Sequence, residues 1–189
     1  RDPANAGKPL ELSLDLSVQA AAERVLEGGM KLMNAKGATS ILMDVETGEV
    51  ISVVSLPSFD PNNRPRPAVE GDPSDSPLFN RSVQGVYELG STFKIFAAAQ
   101  AMELGLVNAN TMIDTKGPMK VGGHTIGEFA NKNYGTISVS QIIEKSSNRG
   151  SGRLALMIGK ERQQEFLRSL GLFEKSPFEI IEASGSTPL

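Results

Sequence analysis

Six of the 11 prolines fall in one short tract, at positions 57, 61, 65, 67, 73 and 77. Proline fixes φ and has no N–H to donate, so residues 57–77 can form neither a helix nor a central strand. The tract must be a long irregular connection, a kind of loop that compact domains keep chiefly where it serves function. It is the proline-rich part of a loop expected over 57–90.

On the N-terminal side, RDPANAGKP (1–9) reads as a polar lead-in, and Leu10–Leu14 alternates apolar and polar residues like a short strand. A helix capped by Asp15 or Ser17 should follow, with Val18, Ala22, Val25 and Leu32 at helical spacing and Gly28-Gly29 weakening its middle. The runs ATSILMDV (38–45) and EVISVVSLP (49–57) flank Thr47-Gly48 and predict an antiparallel hairpin. Ile41, Leu42, Met43 and Val45 put apolar side chains on both faces of its first strand, which predicts helices covering it and more sheet beside it. Asp44 and Glu46 read as ordinary strand-end charges.

Beyond the loop, STFKIFAAAQAMELGL predicts a buried helix from Ser91 with its stop at Gly105. Residues 107–136, with His124, read as a second irregular region, His124 being a loop residue with a polar partner. Three helices complete the pattern: 137–145 capped at Ser138 or Ser140, then Asn148–Ile158, then Lys160–Leu170 closing at Gly171. Lys160-Glu161-Arg162 reads as a solvated helix start, and the scattered methionines as core filler. The fold class is α/β (α+β) with a helical majority and too few strands for a closed sheet.

Composition removes several functions. The chain has 189 residues, no Cys, one His and a net charge of −3, with 39% hydrophobic and 22% charged residues, as an ordinary globular protein has. Disulfides and cysteine nucleophiles are impossible, and a zinc site lacks its usual ligands, so no metal or cofactor is expected. The acidic balance argues against nucleic acid as a partner, and no run of 18 apolar residues is present. The chain opens on Arg1 rather than Met, so a processed or excised piece is expected.

Two groups of residues carry chemistry. Ser91 and Lys94 lie three apart at a helix start, directly after Gly90, which brings a hydroxyl and an amine onto one face. The helix terminus stabilises anions there, and the apolar neighbours Phe93, Ile95 and Phe96 favour a neutral lysine that can act as a base. That is the equipment of serine–lysine nucleophilic catalysis, although S-x-x-K by itself also arises by chance. In Ser146-Ser147-Asn148 a hydroxyl and a carboxamide two residues apart can point into one cleft, to pass a proton and to hold an amide. The same residues serve equally well as a helix N-cap.

The context of these groups is more specific than the groups. FNRSVQGVYELGSTFK (79–94) resembles the segment that carries the active-site serine of penicillin-binding proteins, and YGTISVSQIIEKSSN (134–148) the segment around their second motif. LSLDLSVQAAAERVL (12–26) is similar to the helix that opens their transpeptidase domain, and GGHTIGEF (122–129) leans towards the division-specific type of the class B enzymes. The resemblance implies a penicillin-binding transpeptidase or β-lactamase-like fold, here its helical subdomain and the first hairpin of an incomplete antiparallel sheet. It implies Ser91 as nucleophile, Lys94 as general base, Ser146 as proton relay and Asn148 as ligand of the substrate amide. The implied reaction is D,D-transpeptidation of peptidoglycan stem peptides ending in D-Ala-D-Ala, with β-lactam antibiotics as mimics that acylate the serine. It also implies a parent anchored by an N-terminal helix to the outer face of the bacterial cytoplasmic membrane or in the periplasm, beside other cell-wall synthesis proteins.

Three departures stand out. Leu89 replaces the proline that usually precedes the Gly-Ser pair, and Arg149 replaces a small apolar residue after the second motif. The family's third motif, K-T-G or K-S-G, is absent, since Thr115-Lys116-Gly117 has those residues in another order. The expectation is a partial transpeptidase domain over 1–189 that lacks the C-terminal strands. The alternatives are a serine β-lactamase, a β-lactam-sensing receptor domain, and a non-catalytic fragment or degenerate relative.

Overall fold

The computed structural model describes residues 7, 9–67, 69–174 and 177–180. They fall into two compact units, one up to Val86 with 177–180, the other beginning at Tyr87.

In the first unit, helix α1 (Leu16–Leu32) is capped by Asp15, whose carboxylate accepts the N–H groups of Ser17 and Val18. Strands β1 (Ala38–Met43) and β2 (Val50–Leu56) form the expected antiparallel hairpin, with a bulge at Leu42/Met43. Its turn is closed by Asp44, which accepts the Glu46 and Thr47 N–H groups, and by Gly48 at φ 77°. Those N–H groups, Thr47 before Glu46, hold the Asp44 carboxyl below its ordinary pKa.

The outer edge of β2 is covered in an unusual way. Gln19 on α1 donates to the Val53 carbonyl and accepts the Val53 N–H, both at 2.8 Å, so a side-chain amide stands in for a neighbouring strand. Asp15 N–H to Ile51 O and Ser13 Oγ to Val50 O extend this row. Residues 10–14 are therefore not the strand that their alternation predicts: they run along β2 without a ladder, because side chains and a helix start occupy its edge. Nor is β1 covered on both faces. Ile41, Leu42 and Met43 are about half exposed, since α1 packs mainly along β2. Val25 and Leu32 of the predicted apolar stripe are likewise exposed.

Residues 57–89, where described, hold only the 3-10 turns Pro61–Asn63 and Pro73–Asp75, capped by Asp60 and Asp72. The buried Arg81 ties this segment together through the carbonyls of Ser74 and Phe79, while its own N–H reaches Ser55 Oγ on β2 at 2.9 Å. A Cβ at Gly37 would collide with this guanidinium.

The second unit is mainly helical. A 3-10 turn (Gly90–Phe93) runs into α2 (Lys94–Glu103), followed by α3 (Val139–Glu144), α4 (Asn148–Ile158) and α5 (Lys160–Ser169). Ala101, Ile142 and Leu154 are wholly buried at its core, with Ala98, Val107, Ile113, Ile137, Val139 and Ile158 around them. Gly150 lets α4 approach α3, since a Cβ there would lie 2.6 Å from Ile142 Cγ1. Only Ala98, Gln100 and Ala101 of α2 are buried, so this helix is one-sided rather than enclosed.

Residues 107–136 are more regular than the sequence predicts. They hold β3 (Met112–Asp114), β4 (Met119–Val121) and β5 (His124–Ile126), and β6 (Thr136–Ser138) follows. β3 pairs with β6 and β4 with β5, each antiparallel. Gly122 and Gly123, both at positive φ, make the β4–β5 turn, so His124 is an exposed strand residue rather than a loop residue. Of the methionines, only Met119 is buried among the described residues; Met33, Met43, Met102, Met112 and Met157 are exposed. No described helix is long and apolar enough to cross a membrane.

Candidate active site

The site lies within the second unit. Gly90, at φ 56°, turns the chain into the 3-10 turn that carries Ser91, and Lys94 opens α2 one turn later. The capping box between Ser138 and Gln141 starts α3, and Ser147 caps α4 by accepting the Gly150 N–H at 2.9 Å. Between the two helices Ser146 adopts φ 52°, a left-handed conformation that costs an L residue with a Cβ about 1–2 kcal/mol.

This turn brings all four predicted residues together around one nitrogen. Lys94 Nζ lies 3.1 Å from Ser91 Oγ, 2.9 Å from Ser146 Oγ, 2.7 Å from the Ser146 carbonyl and 2.6 Å from Asn148 Oδ1. The carbonyl and the carboxamide oxygen can only accept, so they take two of the amine's N–H groups. The third position on nitrogen is left to the two hydroxyls. It is an N–H in the ammonium form and a lone pair in the neutral form. Burial pushes the Lys94 pKa below that of a free lysine, and the Glu128 carboxylate opposes this. The arrangement can thus take a proton from one hydroxyl and exchange it with the other.

Glu128 and Gly127 at the site escaped the sequence reading, and Arg149 stood out there only as a departure from the family pattern. Glu128 is buried and accepts from Ser147 Oγ at 2.6 Å, from Asn148 N–H at 2.7 Å and from Arg149 N–H at 3.2 Å. Gly127 O accepts Asn148 Nδ2 at 2.9 Å, which leaves Oδ1 turned to Lys94. Arg149 is buried and reaches the carbonyls of Gly117 and Lys132 at 2.6 and 2.8 Å. No spacing rule marks Glu128, which stands 20 residues before Asn148. Thr115, in the misordered Thr-Lys-Gly run, is buried directly after β3, where its N–H and its hydroxyl both donate to the Gly135 carbonyl at 2.8 Å.

A serine, a lysine, a second serine and an asparagine on one hydrogen-bond hub, within an α+β fold, are the equipment that serine–lysine acyl transfer requires. Residues 38–188 match the penicillin-binding protein transpeptidase domain, and the chain belongs to that family. It is 31% identical to the peptidoglycan D,D-transpeptidase FtsI of Escherichia coli K12, over 97% of this chain and 30% of that protein. With penicillin-binding protein PbpB of Mycolicibacterium smegmatis the identity is 30%, over all of this chain and 28% of the relative. The transpeptidase domain of Burkholderia pseudomallei penicillin-binding protein 3 superposes with a TM-score of 0.72 at 27% identity, over 92% of this chain and 46% of that one. The chain therefore spans under a third of the length of these curated relatives.

Proposed function

We propose that this chain supplies the nucleophilic half of a peptidoglycan D,D-transpeptidase. The observation that carries the reading is the pair of hydroxyls, Ser91 and Ser146, within 3.1 Å of one partly buried amine. Neutral Lys94 takes the Ser91 proton as Oγ bonds to the carbonyl carbon of the penultimate D-Ala of a stem peptide. The C–N bond to the terminal D-Ala breaks, and the leaving amine receives its proton from Lys94 through Ser146. An amine of a neighbouring stem then attacks the acyl-serine, losing its proton along the same path, and Ser91 is regenerated. Asn148 holds the substrate amide beside Ser91. A β-lactam enters the same way, but its ring-opened amine stays tethered and the acyl-serine persists.

The similarity to a peptidoglycan D,D-transpeptidase supports this substrate class, and the greater length of the relatives supports a domain that continues outside this sequence. We infer that the 189 residues are part of a transpeptidase domain whose third motif lies on such a segment, with the parent anchored at the outer face of the cytoplasmic membrane. The test is labelling of the full-length protein with a fluorescent penicillin, followed by peptide mass mapping. The label should fall on Ser91, and Ser91→Ala should lower labelling by at least about 10⁴-fold, as losing a catalytic serine does elsewhere. Labelling that survives Ser91→Ala would sink the assignment.

A further inference from the structure

Beneath the Ser146–Asn148 turn lies a carboxylate–guanidinium pair that the proposed chemistry does not use. Glu128 and Arg149 side chains are 1% and 11% exposed, and Arg149 Nε faces Glu128 Oε1 at 3.6 Å without a hydrogen-bond partner of its own. Each member also grips a different part of the site. The carboxylate takes the N–H groups of Asn148 and Arg149, the first two of α4, together with the Ser147 hydroxyl. The guanidinium takes the Gly117 and Lys132 carbonyls from the two flanks of the β4–β5 segment.

We propose that Glu128 and Arg149 form a buried clamp that positions the Ser146–Asn148 turn against Lys94. The inference rests on the reading of Ser91 and Lys94 given above. Asn148 is held through its backbone by Glu128 and through its amide by the adjacent Gly127, so its oxygen has one direction left, towards Nζ. Glu128 also favours the charged form of Lys94. The other charged groups on elements packed against α2 are Glu144 and Lys145 at the end of α3, Arg149 and Arg153 on α4, and the 160–168 charges of α5. At Lys94 it is the Glu128 carboxylate that opposes the effect of burial. Glu128 and Arg149 are therefore positioning residues, and they touch no reacting atom.

Three variants of the full-length protein separate position from charge. Glu128→Gln removes the charge and turns one of the two accepting oxygens into a donor, Glu128→Asp keeps the charge and shortens the reach, and Arg149→Lys keeps the charge and loses the two-carbonyl fork. The readout is the rate of penicillin acylation against pH, taken on folded protein as judged by thermal melting. Each variant should acylate about 10–100-fold more slowly, the loss typical of removing an outer-shell partner. Only Glu128→Gln should also move the acid limb, and to lower pH, because Lys94 then loses its proton more readily. Wild-type rates in both Glu128→Asp and Arg149→Lys would overturn the clamp, and those two variants decide it even if Glu128→Gln does not fold. An unmoved limb in folded Glu128→Gln would overturn the charge role. A wild-type protein that penicillin does not label at Ser91 would instead overturn the functional reading beneath it.

Discussion

Asn148 Oδ1 is the nearest oxygen to Lys94 Nζ, at 2.6 Å, nearer than the hydroxyl of Ser91 at 3.1 Å. A carboxamide therefore fixes the direction of the amine while the hydroxyl it would activate is held more loosely. This is the order required if the base is to be placed before the nucleophile moves.

The pH dependence of acylation follows from this pair. Lys94 must be neutral to accept the Ser91 proton, so the rate is lost as pH falls through the Lys94 pKa. Burial lowers that pKa, which puts the acid limb below the one a free lysine would give. Asn148→Asp would place a carboxylate where Oδ1 now lies, favour the ammonium form and move the limb to higher pH. At neutral pH acylation should fall at least about 10-fold, because an opposite charge at this range shifts a partner by one pH unit or more. Stopped-flow acylation of both proteins across pH checks the sign, and a limb that stays in place would refute it.

Packing between α3 and α4 is the second point of leverage. A methyl group on Gly150 would meet Ile142 Cγ1 at 2.6 Å in a wholly buried position. Gly150→Ala should cost about 1–3 kcal/mol, the range for overpacking a core. Adding Ile142→Val should restore part of it by removing a methyl group from the contact. Urea midpoints of the three proteins measure this, and Gly150→Ala with an unchanged midpoint would show that α4 has room to move.

In the first unit the sensitive contact is Gln19 with Val53. Gln19→Leu keeps the bulk but leaves the Val53 N–H and carbonyl without their 2.8 Å partners. A loss of about 1–3 kcal/mol is expected for such orphaned backbone groups. Hydrogen exchange read at the Val53 amide should accelerate while the amides bonded between β1 and β2 change less. Equal protection of Val53 in both proteins would show that the side chain is not its shield.

The legible parts of this chain were those fixed by local chemistry. Asp15, Ser138, Ser147 and Gly105 mark helix ends through groups that lie next to them in sequence, and the structure uses each one. The four residues at the Lys94 nitrogen were legible too, because a helix turn brings Ser91 to Lys94 and a short turn brings Ser146 to Asn148. What sequence could not reveal depends on distant partners. Residues 10–14 have the alternation of a strand but lose the edge of β2 to Gln19. Glu128 has no periodicity, and its role exists only once the 147–149 backbone folds over it. The β4–β5 hairpin was readable in principle from Gly122-Gly123, a turn signal inside a segment whose other residues look irregular.

Ser146 gives Lys94 two oxygens, its hydroxyl and its carbonyl, from a left-handed backbone that glycine or asparagine would adopt with less strain. Glycine would relieve the backbone and remove the hydroxyl, whereas asparagine would bring a different side chain to the amine. At this position conformational ease and chemical need exclude one another. A selection for stability alone would therefore tend to drift away from serine here, and a selection for acyl transfer would hold it. Position 146 thus offers a way to tell, among variants of this chain that still fold, which have kept the proposed acyl transfer and which have kept only the fold.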